Sequence, residues 1–125
     1  MIHTESIIIR SSIDKAFEYL KKEENHPTWG VNFLKDYEKT NEGHFVTTPM
    51  GRVELKIKAD KETGVIDIVL GERPTPTRLI FFSPDETLYL FTLILPNEMP
   101  KPAIEEGIKG LKEELLILKE ILEGD

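Results

Sequence analysis

The chain carries three histidines, His3, His26 and His44, and imidazole is the side chain best suited to moving protons near neutral pH or to holding a metal. Spacing supports neither use. No HxH or HExxH pattern occurs, so no pair is preset for a metal. His3 lies near the start of the chain, and His44 opens a strand beside a tight turn. His26 precedes Pro27, where anchoring a turn by a hydrogen bond competes with accepting a proton. There is no cysteine, which excludes disulfides, thiol nucleophiles and thiolate metal sites. Neither a metal nor a cofactor is expected, and no catalytic residue stands out.

Other residues admit a functional and a structural reading side by side. Asp67 is the one charge in Val65-Ile66-Asp67-Ile68-Val69-Leu70. Facing inward it would have a raised pKa and could act as an acid or base; facing water it is ordinary. Arg73 and Arg78 could hold a carboxylate or enolate, and solvated positions explain them equally well. Trp29, the sole tryptophan, either lines the mouth of a cavity or plugs one end of a core. Gly107 and Gly110 each cost about 1 kcal/mol inside a helix. Close approach to the sheet or to a ligand would justify that cost, and so would a bend.

Composition narrows the classes. The 125 residues are 39% hydrophobic and 31% charged with a net charge of −7, as expected of one soluble domain spanning 1–125. The acidic balance argues against nucleic acid and against an anionic membrane surface. MIHTESIIIRSS lacks the features of a signal peptide, so a cytoplasmic location is the default expectation. Glutamine is absent and Lys, Glu and Ile are plentiful, a bias shared with proteins of hot habitats.

The elements that must position these residues follow from periodicity. Ile2–Arg10 reads as a strand. Ser11 with Asp14 has the spacing of a capping box, and Ile13, Ala16, Phe17 and Leu20 make one stripe on a helix Ser12–Lys22, leaving Lys15, Glu18 and Lys22 in water. Residues Thr28–Phe33 form a short helix or turn. Strands then follow at Leu34–Thr40, His44–Thr48, Val53–Ala59, Val65–Leu70, Arg78–Ser83 and Thr87–Leu95. In the third of these, Val53, Leu55, Ile57 and Ala59 alternate with Arg52, Glu54, Lys56 and Lys58, the mark of a half-buried strand. Gly71–Pro76 reads as a longer, stiff connection. The closing helix, Pro102–Glu123, carries Ile104, Ile108, Leu111, Leu115, Leu118 and Leu122 on one stripe. One helix cannot fill a broad curved sheet, so a hollow is expected between them.

This order of elements resembles the helix-grip fold of the SRPBCC or START-like superfamily, which includes polyketide cyclases and lipid-transfer START domains. Ile13-Asp14-Lys15-Ala16-Phe17-Glu18-Tyr19-Leu20 followed by Glu24-Asn25-His26-Pro27-Thr28-Trp29 is similar to a stretch of polyketide cyclase/dehydrase-like members. The resemblance implies an α+β fold: a seven-stranded antiparallel curved sheet wrapped round the C-terminal helix, with two short helices after the first strand and an apolar cavity inside. It also implies gate loops at Thr48-Pro49-Met50-Gly51 and Gly71-Glu72-Arg73-Pro74, with Pro49, Met50, Glu72 and Arg73 at the entrance.

The function expected is binding or carrying a hydrophobic, lipid-like or aromatic small molecule. Trp29, Phe33, Val53, Leu55, Phe81, Tyr89, Phe91, Ile104, Gly107 and Ile108 are the expected lining. A cyclase/dehydrase-like enzyme using the same cavity and a protein-binding module are the alternatives. Leu88–Leu95 is apolar on both faces, beside Leu79-Ile80-Phe81-Phe82. The sheet's back, with Ile80 or Phe82 and Leu88, Leu90 and Ile94, is therefore expected to be covered by a second copy in a two-fold homodimer. The rival cover is the N-terminal helical segments.

Overall fold

Runs of β-branched and aromatic residues broken by turn residues give seven strands: β1 (Ile2–Ile9), β2 (Lys35–Thr40), β3 (Gly43–Thr48), β4 (Gly51–Asp60), β5 (Val65–Leu70), β6 (Arg73–Ser83) and β7 (Glu86–Ile94). The structure is a computed structural model that describes residues 1–124; Asp125, the last residue of the expected 1–125 span, lies outside the described residues. Neighbouring strands are all antiparallel, in the order β1-β7-β6-β5-β4-β3-β2. Helix α1 (Ile13–Leu20) and a 3-10 helix (Glu23–Thr28) follow β1, and α2 (Lys101–Glu123) closes the chain. This is the expected α+β architecture of a curved antiparallel sheet with a long C-terminal helix.

Local chemistry sets the element ends. The cap of α1 is Ser12, whose Oγ accepts the Lys15 N–H at 3.2 Å. Ser11 is buried instead, its carbonyl accepting the Thr87 hydroxyl at 2.7 Å, so the expected Ser11–Asp14 box is not formed. Lys15 is exposed, as expected, but it is not idle. Its ammonium donates to the Leu122 and Gly124 carbonyls at 2.9 and 3.0 Å, neutralising the negative end of α2.

The expected stiff connection 71–76 is mostly strand. Only Gly71-Glu72 turns, and β6 starts at Arg73. Pro74 and Pro76 sit opposite Val69 and Asp67 of β5, while pairing of β6 with β7 begins at Thr77. Spaced by two, the prolines put their missing donors on one side, the side where β7 makes no ladder. Asp67 lies across from Lys58, on the outward side of the sheet. Arg78 donates from Nε to the Thr63 carbonyl at 3.1 Å, holding the β4–β5 turn.

The core runs from Ile9, Phe17 and Leu20 through Leu55, Ile66, Leu79 and Tyr89 to Leu111, Leu115, Leu118 and Leu122. Burying each large aliphatic of this set is worth about 1.5–3 kcal/mol. Ala59, expected inward, is exposed at the end of β4. On the sheet's back, Ile80, Leu88 and Leu90 are half-buried and cross-strand neighbours, whereas Phe82 and Ile94 are 59% and 56% exposed.

Two glycines respond oppositely to alanine. Gly64 has φ +78°, and a Cβ there would lie 2.0 Å from the Leu79 carbonyl oxygen. A Cβ on Gly107 meets nothing within 4 Å, so close approach to the sheet does not account for this glycine. Gly64→Ala should lower stability by at least ~2 kcal/mol, whereas Gly107→Ala should raise it by about 1 kcal/mol. Urea denaturation of the two variants measures both.

Candidate functional site

The candidate site is built on the turn that follows α1. His26 Nε2 donates to the Leu20 carbonyl at 2.6 Å, and the Gly30 N–H donates to the His26 carbonyl at 2.9 Å. His26 thus anchors its turn, and the turn delivers Trp29 into the core, 2% exposed. Trp29 plugs the core rather than lining an open mouth. Its ring lies 5.6 Å from that of His26 and meets Tyr89 and Phe91 of β7 edge-on at 6.3 and 6.2 Å.

Three polar atoms of this ring cluster are buried without a hydrogen-bond partner: His26 Nδ1, Trp29 Nε1 and the Tyr89 hydroxyl. Thr77 Oγ1, whose own proton goes to the Ile66 carbonyl at 2.5 Å, stands near that hydroxyl as an acceptor but outside hydrogen-bond geometry. Each such orphan costs roughly 1–3 kcal/mol. Burial pushes the Tyr89 phenol far above its usual range. Burial likewise depresses His26 to about 4, against a smaller opposing effect of the Leu20 carbonyl. At neutral pH His26 is therefore uncharged, with its proton on Nε2 and a bare lone pair on Nδ1.

The Trp-bearing segment is clamped to α2 by a residue that lies on the helix's apolar stripe. Glu114 is buried, and its carboxylate accepts the Asn32 and Phe33 N–H groups at 2.9 and 3.1 Å. Burial raises its pKa, the two N–H donors offsetting part of the shift. Asn32 Nδ2 adds a donation to the Gly110 carbonyl at 3.2 Å. Beyond this clamp the two halves of α2 differ. Leu111, Leu115, Leu118 and Leu122 are 3% exposed or less, whereas no residue from Lys101 to Gly110 is buried.

The expected lining is therefore divided. Trp29, Leu55 and Tyr89 are core residues, and Phe33, Val53 and Phe91 pack half-buried against them. Ile104 and Ile108 are half-buried on the uncovered part of α2, and Gly107 is exposed. Phe81 does not join the group: it is 59% exposed near the tip of the β6–β7 hairpin, at the opposite end of the sheet from the turns before β4 and β6. Those two turns carry Pro49, Met50, Glu72 and Arg73, all exposed. Antiparallel succession brings them to the end where α2 begins. The recesses on the surface lie elsewhere, one of about 460 Å³ at Thr40–Glu42, Phe45 and Arg52 and one of about 290 Å³ between β1 and α2.

Sequence reasoning did not single out Glu114, and it weighed His26 apart from the Trp29 ring it lies beside. The signal for Glu114 was present: it stands three residues after Leu111 and four before Leu118, inside the stripe. His44, the remaining histidine with a defined partner, takes the Tyr37 hydroxyl at Nδ1 (2.7 Å) on the outer part of β3. His3 bonds Glu5 at 2.8 Å. Among the described residues no cluster of potential metal ligands forms, and no helix is long and apolar enough to cross a membrane.

The depressed His26 pKa has a sign that can be tested. The unfolded chain binds the proton near 6.5 and the folded chain only near 4. Stability is then complete above about pH 6.5 and lost as pH falls towards 4, by up to ~3 kcal/mol. Glu114 works the other way, its raised pKa taking stability away as pH rises through and above the ordinary carboxylate range. Urea denaturation at stepped pH should show His26→Gln losing less stability than the parent between pH 6.5 and 4. Parallel curves would contradict the buried neutral imidazole.

No family model matches the chain, and no curated protein matches its sequence. Solved structures do match in fold. An uncharacterised Bacillus thuringiensis protein superposes with a TM-score of 0.73 at 12% identity, covering 98% of each chain. A START superfamily protein from Mycobacterium smegmatis gives 0.70 at 14% identity, covering 98% of this chain and 97% of that one. A Streptomyces aromatase/cyclase gives 0.68 at 13% identity, covering 98% and 93%. With its strand order and closing helix, the chain has the START-like helix-grip fold that these polyketide-cyclase and START proteins share.

Proposed function

We propose that this protein binds an apolar or aromatic small molecule bearing at least one polar group, held between the sheet and the first half of α2. The observation that carries this reading is the set of orphaned atoms on His26, Trp29 and Tyr89. A lone pair on His26 Nδ1 calls for a donor and Trp29 Nε1 for an acceptor, so a phenol or hydroxy-carbonyl compound would complete both. Its apolar body would lie against Phe91, Val53, Ile104 and Ile108. The likeness to START and aromatase/cyclase structures supports a container of this kind.

Entry requires movement, because Trp29 and Tyr89 are buried. The first half of α2 is suited to it. None of its residues is fully buried, it contains Gly107 and Gly110, and it is hinged at the Asn32–Gly110 and Glu114 contacts. The exposed turns at Pro49-Met50 and Glu72-Arg73 would frame the opening. Binding is favoured over catalysis by the protonation states. A histidine depressed to about 4 is a weak base at neutral pH, and a phenol raised by burial is a weak acid. These groups hold a ligand better than they move its protons.

Native mass spectrometry of freshly purified protein, followed by titration of a naphthol against Trp29 fluorescence, tests the reading. A saturable change is expected, weakened about tenfold by Tyr89→Phe through loss of one hydrogen bond. No retained compound and no saturable change would retire it.

A further inference from the structure

The two edges of the sheet are treated differently. β2 is short, contains Lys35 and Lys39, and has a register shift between Lys35 and Glu38, the usual protections of an edge strand. β1 has none of these. Its eight residues, Ile-His-Thr-Glu-Ser-Ile-Ile-Ile, contain no Lys, Pro or Gly, and its register with β7 is unbroken from Ile2↔Ile94 to Ile9↔Thr87.

The hydrogen-bond phase of β1 is fixed by its first residue. Met1 N donates to the Leu95 carbonyl at 3.0 Å, and the Leu95 N–H donates to the Met1 carbonyl at 2.9 Å. Bonded and non-bonded pairs alternate in an antiparallel ladder. The odd residues of β1 therefore bond to β7, and Ile2, Thr4, Ser6 and Ile8 aim their N–H and C=O groups at the free edge. Two contacts agree with that phase. Lys119 Nζ donates to the Ile8 carbonyl at 3.0 Å, and the Arg10 N–H donates to Glu123 at 2.8 Å. These side chains of α2 close the C-terminal end of the edge, and Ile2–Ser6 stays open. Alongside it runs the recess of about 290 Å³ lined by Glu5, Ser6, Ile7, Lys112, Leu115 and Leu116. Leu116 is 57% exposed there.

We propose that the open edge of β1 joins two copies of this chain, β1 against β1, about a two-fold axis through Thr4. Symmetry and charge select the register. With Thr4 opposite the partner's Thr4, Ile2 pairs with the partner's Ser6, and all of these residues carry outward main-chain groups. His3 then faces the partner's Glu5 and Glu5 the partner's His3, an opposite-charge pairing whenever the imidazole is protonated and a hydrogen bond when it is not. Ile7 meets the partner's Met1, an apolar side chain beside Leu116. The Lys119 and Glu123 contacts are undisturbed. Shifting the axis to Glu5 sets Glu5 against Glu5 and needs the Ile8 carbonyl that Lys119 occupies; moving it to Ser6 needs that same carbonyl. The site does not depend on the ligand reading, and it differs from the half-buried back of the sheet.

Sedimentation velocity at micromolar concentrations should show a dimer, and a species that stays monomeric throughout overturns the proposal. Thr4→Pro removes a donor that β7 does not use, so it should keep the parent circular dichroism and weaken association at least tenfold. A folded Thr4→Pro that dimerises like the parent refutes the edge. Thr4→Cys gives an independent reading in a chain without cysteine. Facing Cα atoms would be about 5.5 Å apart, within reach of a disulfide, so oxidised glutathione should link the dimer covalently. Absence of the link overturns the proposal even if Thr4→Pro does not fold. Leu90→Lys, on the back of the sheet, should leave the dimer intact; its dissociation would assign the interface to that face instead.

Discussion

A buried carboxylate, Glu114, governs how the long helix relates to everything else. Its oxygens accept the Asn32 N–H, a donor that no strand or helix ladder uses, and the Phe33 N–H, which also reaches the Gly30 carbonyl at 3.2 Å. Leaving such donors unpaired costs more than the hydrogen bonds themselves contribute. The carboxylate therefore fixes the Trp29 segment to the middle of α2, and it does so although burial disfavours its charge. C-terminal to this point the helix is held by apolar packing and by charged side chains at its end. From Lys101 to Gly110 no residue of the helix is buried.

The C-terminal half of α2 is tied down by charge as well as by leucines. Lys15 of α1 satisfies carbonyls at the end of the helix, while Lys119 and Glu123 reach the last main-chain groups of β1 and of Arg10. Helix end, first helix and edge strand thus form one corner of the molecule. The opposite end, where the turns before β4 and β6 meet the start of α2, has no comparable ties among the described residues. The charged ties are thus concentrated at one end of the helix. The asymmetry comes from where the charged side chains fall along a single helix.

The ring cluster of His26, Trp29, Tyr89 and Phe91 is polar in an unusual way, since three of its heteroatoms lack partners. A core made only for stability would use phenylalanine and leucine at such places. The chain instead places an imidazole, an indole and a phenol there. Where a hollow is expected, Leu55, Tyr89, Leu115 and Leu118 are almost completely buried in one core. Trp29 occupies much of the space that one helix could not fill.

Periodicity along the chain was sufficient for the architecture. The alternation Val53/Leu55/Ile57 against Arg52/Glu54/Lys56/Lys58 defined β4, and the steps from Leu111 to Leu122 defined the packed face of α2, because both patterns are consequences of local backbone geometry. The order of elements then pointed to a START-like sheet and closing helix. What stayed hidden depended on partners distant in sequence. Pro74 and Pro76 suggested a loop, and only the absence of a β7 ladder beside them makes them compatible with a strand. Phe81 had the right spacing for the lining but stands beyond the core, since a strand's parity says nothing about where the covering helix ends. Lys15 and Glu114 looked like a solvated lysine and an unremarked helical glutamate; the roles of both arise from main-chain groups 107 and about 80 residues away. Sequence determines which face of an element is apolar. Which buried polar atoms find partners, and which are left without one, is decided only when the tertiary structure brings distant groups together.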